Sequence, residues 1–350
     1  MKKNIIIGYT NSKSEEKRVA FELFNYYSNT KDFNVEIIDF SSCFDADKNF
    51  RKILFKKRLV SKTSLKLSDS NVKKYLKDFN PDLVVSTNYC IDYLISYYNN
   101  INLIKTKVIS ILCEISLDYF NSHLSNADYY IVNNKVMKNK LLKKNINSRR
   151  IIVAGTPTFS IDNLDIEEKE LTLRKYSLET NKPIYLMIAN GYDYIYEYFK
   201  VLAKKNFDIY IVLISGKNKS LMNKCEDYVF ENNIKNVLIF GYIKEIYNLF
   251  NISDVIITKP GTSTLIECMN FKKPSILLPG LSIEERKNLK FMVKNHLSFK
   301  ATTPLDLVKK VRISLNYKFI TNSIQNRLRK LNNYDSCEII YDLSKKLLKK

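Results

Sequence analysis

Nowhere in its 350 residues does this chain approach the roughly 20 consecutive apolar residues that a helix needs to cross a bilayer. The apolar run near the start, Ile5-Ile6-Ile7 followed by Gly8, is too short for a secretory leader and has no small-residue cleavage site. It is expected to be a buried first strand, and the protein is expected to stay in the cytoplasm. Histidine is almost absent: His123 and His296 are the whole supply, which leaves a His-based metal centre with almost no ligands. Cysteine is present six times (Cys43, Cys90, Cys113, Cys225, Cys268, Cys337) but never in CxxC spacing. Several of these lie inside apolar segments, the setting of buried free thiols rather than of a metal site or disulfide framework. No internal repeat and no low-complexity tract is found.

Acidic residues are in deficit. Lys and Arg total 57 against 36 Asp and Glu, a formal charge of +21. Lysine far outnumbers arginine, and Asn, Ile and Tyr are abundant too, a bias that A+T-rich coding also produces. No compact basic-aromatic motif accompanies the charge, so nucleic acid is not an expected partner. An anionic membrane surface is an equally good counter-ion, since each nearby Lys or Arg contributes on the order of 1 kcal/mol there.

What the chain does have is alternation. Strand-like apolar runs at 4–9, 34–40, 83–87, 107–112, 128–132 and 150–154, then at 183–189, 208–214, 236–240, 254–258 and 274–278, are separated by helix-period stretches such as 14–28, 69–79, 218–232 and 284–295. Strand–helix alternation at this spacing predicts parallel sheets covered on both faces. Pro157 and the polar, acidic stretch after it mark a boundary. The expected division is a Rossmann-like domain over 1–157, a linker over 158–182, a second Rossmann-like domain over 183–318, and C-terminal helices over 319–350. Folds of this class bind ligands at the carboxyl ends of their strands.

The most informative stretch runs from Ser253 to Asn288. Asp254-Val255-Ile256-Ile257-Thr258 reads as a buried strand, Lys259-Pro260-Gly261 as a turn, and Thr262-Ser263-Thr264 as the start of a helix. Gly261 permits close backbone approach, and the N–H groups of a helix N-terminus with the Ser263 and Thr264 hydroxyls can cradle a diphosphate. Glu267 follows one turn on, where a carboxylate can accept both hydroxyls of a ribose. The next strand ends in Pro279-Gly280, and Glu284, Glu285 and Asn288 open another helix. Glu284 and Glu285 also suit a second role, as first-turn acids that complement the helix dipole.

This order of motifs resembles glycosyltransferase family 28, in particular its diacylglycerol sugar transferases and, more distantly, the lipid II-forming GlcNAc transferase. Ser215-Gly216-Lys217-Asn218 resembles the family's CGKN loop, and Gly241-Tyr242-Ile243 its glycine-aromatic turn. The likeness spans about 183–300. It implies a GT-B fold of two facing Rossmann-like domains and a UDP-sugar donor as substrate. No cofactor is expected, and no metal, because the helix N-terminus supplies the positive end and the C-terminal half offers no convincing acidic metal cluster. By position the likeness assigns Gly261, Ser263 and Thr264 to the diphosphate, Glu267 to the ribose, Gly216 to the neighbouring loop, Tyr242 and Ile243 to the uracil, and Glu284, Glu285 and Asn288 to the sugar; Thr262 joins the nucleotide-sugar site as part of the helix N-terminus that stabilises charge on the departing UDP. Where the family usually carries a second Gly this chain has Thr262, and where it usually carries Gln it has Glu284.

The N-terminal half is the expected acceptor side. The family's glycine-rich first loop and its His are missing; Tyr9-Thr10-Asn11-Ser12-Lys13-Ser14 stands there instead. Val108 to Leu112 leads into Cys113-Glu114, which resembles the family's strand ending in an acid, so Glu114 is the candidate base that activates an acceptor hydroxyl; a partly exposed turn acid is the plainer reading. Asp92 is a second candidate. Asp45-Ala46-Asp47 has the DxD form of metal-dependent transferases but reads as a polar turn. In residues 50–66, Arg51, Lys52, Lys56, Lys57 and Arg58 interleave with Phe50, Ile53, Leu54 and Phe55. Such a segment suits either a lipid interface or an ordinary surface helix. The expected reaction is inverting transfer of a hexose to diacylglycerol or a glycolipid, by an enzyme peripheral to the inner membrane face. A different acceptor, or a non-catalytic UDP-sugar-binding subunit, would keep the same donor site.

Overall fold

The computed structural model describes residues 2–10, 14–41, 43, 70–115, 127–157, 166–189, 192–244, 246–331 and 335–349. Its first sheet is built from β1 (Asn4–Tyr9), β2 (Asn34–Asp39), β3 (Leu83–Ser86), β4 (Lys107–Ile111), β5 (Tyr129–Val132) and β6 (Ile151–Val153). Between them run α1 (Ser14–Thr30), α2 (Ser70–Phe79), α3 (Tyr89–Asn100) and α4 (Lys135–Leu142). The strand order is β2-β1-β3-β4-β5-β6, all parallel. Strand residues alternate between two cores: Ile5, Ile7, Leu83, Val85 and Ile109 enter one, Ile6, Val84, Val108 and Tyr130 the other. Burial on both faces is why these strands read as unbroken apolar runs.

The second sheet contains β7 (Ile184–Ile188), β8 (Tyr210–Ile214), β9 (Val237–Phe240), β10 (Val255–Thr258), β11 (Ser275–Leu277) and β12 (Phe299–Lys300). It is again all parallel, in the order β12-β11-β10-β7-β8-β9. Its helices are α5 (Lys169–Lys175), α6 (Ile195–Ala203), α7 (Lys219–Glu231), α8 (Ile246–Ile252), α9 (Thr262–Asn270), α10 (Ile283–Lys294), α11 (Pro304–Asn316) and α12 (Lys318–Leu331); the last helix is α13 (Ser336–Leu348). Two doubly wound parallel sheets are the architecture read from the sequence. Every strand expected there forms to within two residues at each end. The one addition is β12, whose two residues are too few to show a period.

The chain divides into a unit of Met1–Ser160 with Tyr334–Lys350 and a unit of Ile161–Asn333. Two stretches therefore sit in other groups than their sequence suggested. Residues 166–182 are not a free linker in the described structure, because α5 packs on α8 and the backbone N–H of Glu167 donates to the buried Asn248 side chain at 3.1 Å. The C-terminal helices separate: α12 stays with the second unit, while α13 joins the first unit's core through Ile340 and Tyr341. An amphipathic helix needs an apolar partner, and its own sequence does not say which sheet provides it.

Candidate functional site

In the second sheet the strand order reverses between β10 and β7. Connections leaving the carboxyl ends of these two strands therefore diverge, which is where open α/β sheets bind ligands. Thr258 stitches the two ends together, its hydroxyl donating to the Ile188 carbonyl at 3.2 Å. The next residues, Lys259-Pro260-Gly261, lead into α9. Gly261 is its N-cap with extended backbone (φ −72°, ψ 139°) and no side chain to cap the helix. The first-turn N–H groups have no acceptor inside the helix, so this end presents donors and the positive pole of the dipole.

Helix α10 fixes the shape of that loop. The Thr262 hydroxyl donates to Glu284 Oε1 at 2.8 Å, and Asn288 Nδ2 donates to Thr262 Oγ1 at 2.9 Å and to the Pro260 carbonyl at 3.2 Å. Lys259 Nζ donates to Glu285 Oε1 at 2.5 Å. Glu285 Oε2 meanwhile accepts from the N–H groups of Leu281 and Ser282, and the Ser282 hydroxyl accepts from Glu285 N in a reciprocal capping box. Burial alone would raise the Glu285 carboxyl, but Lys259 and these N–H donors outweigh it and hold the group below its ordinary range. Gly280 lets the β11–α10 connection close: a Cβ there would lie 2.7 Å from Glu285 C and Cβ.

Further into α9, Thr264 and Glu267 are buried and Ser263 is half-buried. Ser263 and Glu267 are four residues apart and so share a face of the helix. The loops after β8 and β9 adjoin one another. Gly216 has φ +68°, a left-handed conformation that suits glycine, and a Cβ on Gly241 would lie 3.7 Å from the Gly216 carbonyl. Tyr242 is exposed and Ile243 half-buried. Asn218 caps α7 and also donates to Asp193 Oδ1 at 2.8 Å, tying the β8 loop to the loop after β7. That loop carries Tyr192, whose ring lies 4.1 Å from Lys259 Nζ, and Tyr194, whose hydroxyl donates to the Pro279 carbonyl at 2.9 Å. Burial drives the Tyr194 phenol well above its usual range.

The structure thus gathers Gly261, Thr262, Glu284, Glu285 and Asn288 into one connected set at the switch point. The residue that the sequence reading missed is Lys259, a single lysine in a lysine-rich chain whose partners lie 26 and 67 positions away. In the first unit Glu114 follows β4, and its backbone carbonyl accepts from Asn133 Nδ2 at 2.7 Å. Asn133 also accepts from the Thr156 hydroxyl, so the segments after β4, β5 and β6 are joined there. Asp92 is buried on α3 and accepts from Ser110 Oγ at 2.5 Å, a contact inside the sheet core. The Asp45-Ala46-Asp47 motif, residues 50–66 with their five basic side chains, and positions 11–13 of the first loop lie outside the described residues. Among the described residues no three His, Cys, Asp or Glu side chains come together as metal ligands, and no helix is long and apolar enough to cross a membrane.

Two six-stranded parallel sheets, each in its own doubly wound unit, define the GT-B class of fold. The structure of UDP-GlcNAc 2-epimerase from Neisseria meningitidis bound to UDP-GlcNAc shares that fold, with a TM-score of 0.68 at 15% identity over 98% of this chain and all of that one. Two family models match parts of this chain. Residues 193–311 match the glycosyltransferase family 28 C-terminal domain, and residues 9–158 match monogalactosyldiacylglycerol (MGDG) synthase. A processive diacylglycerol beta-glucosyltransferase of Bacillus pumilus is 25% identical over 65% of this chain, and the match spans 58% of that enzyme's length. The same-named enzyme of Bacillus licheniformis is 23% identical over 79% of this chain and 71% of its own length.

Proposed function

We propose that this chain is an inverting hexosyltransferase that carries a sugar from a UDP-linked donor to diacylglycerol or a glycolipid, working from the cytoplasm as a peripheral protein on the inner membrane face. The observation that carries this reading is the α9 N-terminus at the switch point of the second sheet, its approach fixed by three α10 side chains. The two family matches and the names of the relatives support sugar transfer to a lipid.

In this reading the first-turn N–H groups of α9, with Thr262, Ser263 and Thr264, hold the diphosphate, and Glu267 accepts the ribose hydroxyls. Gly216 shapes the adjoining wall, and Tyr242 and Ile243 flank the uracil. Glu284 and Asn288 contact the hexose. Glu285 joins them as a brace, because both its oxygens are already committed. As the glycosidic bond breaks, negative charge grows on the departing UDP, and preorganised helix dipoles stabilise it without reorganising. That is the work a divalent cation does in other transferases, so the reaction needs none here. Glu114 takes the proton of the acceptor hydroxyl, and the segment carrying Arg51, Lys52, Lys56, Lys57 and Arg58 binds anionic headgroups.

The test is incubation of the full chain with radiolabelled UDP-sugars and membrane lipids, with and without EDTA. A labelled lipid that forms equally in both arms is expected. Absence of transfer to any lipid from every UDP-sugar would sink the assignment, and activity abolished by EDTA and restored by manganese would overturn the metal-free mechanism.

A further inference from the structure

Lys259 sits where three loops converge. Its Nζ donates to Glu285 Oε1 on the β11–α10 side and stands over the Tyr192 ring on the β7–α6 side. A Cβ built on Gly261 would lie 3.6 Å from its Cε and 3.7 Å from its Nζ, so the side chain passes directly beside the N-cap of α9. Only 13% of that side chain is exposed, and only 8% of the Glu285 side chain.

An ammonium in this position is unfavourable on two counts. It has left water, and it stands beside the positive pole of a helix. Glu285 offsets both, yet a buried ion pair is often replaced by apolar residues of similar volume at no loss of stability. Stability alone therefore gives little reason to keep a charge there. An ammonium carries three donors, and Glu285 takes one of them. The cation–π contact with Tyr192 fixes its position without using another.

We propose that Lys259 supplies a second positive charge to the anion subsite at the α9 N-terminus, where the diphosphate of the nucleotide donor binds, with Glu285 and Tyr192 holding the ammonium in place. The inference rests on the donor reading above and adds to it a binding residue. The tether to Glu285 keeps the cation from folding over the helix end while the site is empty. When the diphosphate arrives, the ammonium already stands beside it, and little side-chain entropy remains to be lost.

Calorimetry with UDP and with uridine, on wild type, Lys259→Met and Lys259→Arg at low and moderate salt, tests this. Lys259→Met is expected to weaken UDP binding by about tenfold to a hundredfold, the worth of one charge-assisted contact, and to leave uridine binding unchanged. Its UDP affinity should also depend less on salt, and Lys259→Arg should restore part of the loss. The double variant Lys259→Met with Glu285→Gln leaves no uncompensated buried carboxylate and should show the same selective loss, which covers the case in which Lys259→Met alone does not fold. Equal loss of UDP and uridine binding, or no loss of either, overturns the proposal. Failure of the wild type itself to bind UDP refutes instead the donor reading on which it rests.

Discussion

The phenol of Tyr27 and the hydroxyl of Ser344, 317 positions apart in the chain, meet in a buried hydrogen bond of 2.7 Å. Burial pushes the Tyr27 phenol far above its usual range, and the bond to Ser344 offsets this only in part. Beside it Tyr341 packs edge-on against Tyr26, Tyr27 and Phe33 at centroid distances of 5.6, 5.1 and 5.6 Å. Lys345 pairs with Asp32 at 2.6 Å, and Ser336 donates to the Ala154 carbonyl at 2.5 Å.

Replacing Tyr341 with Ala should therefore destabilise the first unit by about 3–5 kcal/mol, the usual cost of deleting a buried aromatic ring. Urea unfolding followed by circular dichroism gives the magnitude. Hydrogen exchange gives the place: protection should fall in β1 to β6 and persist in β7 to β11. Uniform loss over both units would contradict the assignment of α13 to the first.

Glu267→Ala removes the acceptor proposed for two ribose hydroxyls. UDP affinity should fall by roughly 1.5–3 kcal/mol, because the hydrogen bonds lost are to a charged group. Titration calorimetry reads this directly, and an unchanged affinity would take Glu267 out of the site.

Gly280→Ala tests the closure of the loop. A Cβ 2.7 Å from Glu285 C cannot be accommodated by rotating a side chain, since part of the obstruction is backbone. The variant should lose about 1–3 kcal/mol of stability, the range for overpacked positions. Thermal unfolding midpoints compare the two proteins, and an unshifted midpoint would mean that the α10 start is freer than its hydrogen bonds indicate.

Acidification should weaken the brace on α9. A carboxyl whose folded pKa lies below its unfolded value stabilises the fold above the unfolded value, near 4.3 for Glu, and loses that contribution as pH falls through the folded one. Glu285 is of this kind. The stability difference between wild type and Glu285→Gln should be widest above about pH 5 and narrow as the pH falls below the unfolded value. A difference that stays constant across this range would show that the charge of Glu285 contributes nothing.

Changing Arg51, Lys52, Lys56, Lys57 and Arg58 together to Gln should release the protein from anionic vesicles while UDP binding is retained. Five charges at on the order of 1 kcal/mol each dominate such attachment at low salt, and the effect fades as the Debye length shrinks. Co-sedimentation with vesicles is the measurement. Retention of the variant equal to that of wild type would remove this segment as the anchor.

Much of this architecture was legible because both sheets are parallel and buried on both faces, so Ile5 to Ile7, Leu83 to Val85 and Val255 to Ile257 each announce a strand without alternation. The loop that opens α9 stood out as a candidate anion cradle because a turn glycine, hydroxyl residues and a carboxylate one turn on form a local pattern. Lys259 was not, because its meaning comes from Tyr192 and Glu285, residues that only the sheet order brings to it. The brace from Glu284 and Asn288 to Thr262 was hidden for the same reason. Helix α13 was recognisable as a helix, but the partner for its apolar face lies some 300 residues upstream.

That return of α13 sets an order of assembly during synthesis. The ribosome delivers β1 to β6 first, yet the surface around Tyr27 and Phe33 stays uncovered until residues 336–348 have emerged. At about 5–20 residues per second, the unit made first waits on the order of ten seconds or more for its last helix. The second unit, contiguous from 161 to 333, is complete before it. Nascent chains should accordingly expose an aromatic patch around Tyr27 and Phe33 until α13 has been made.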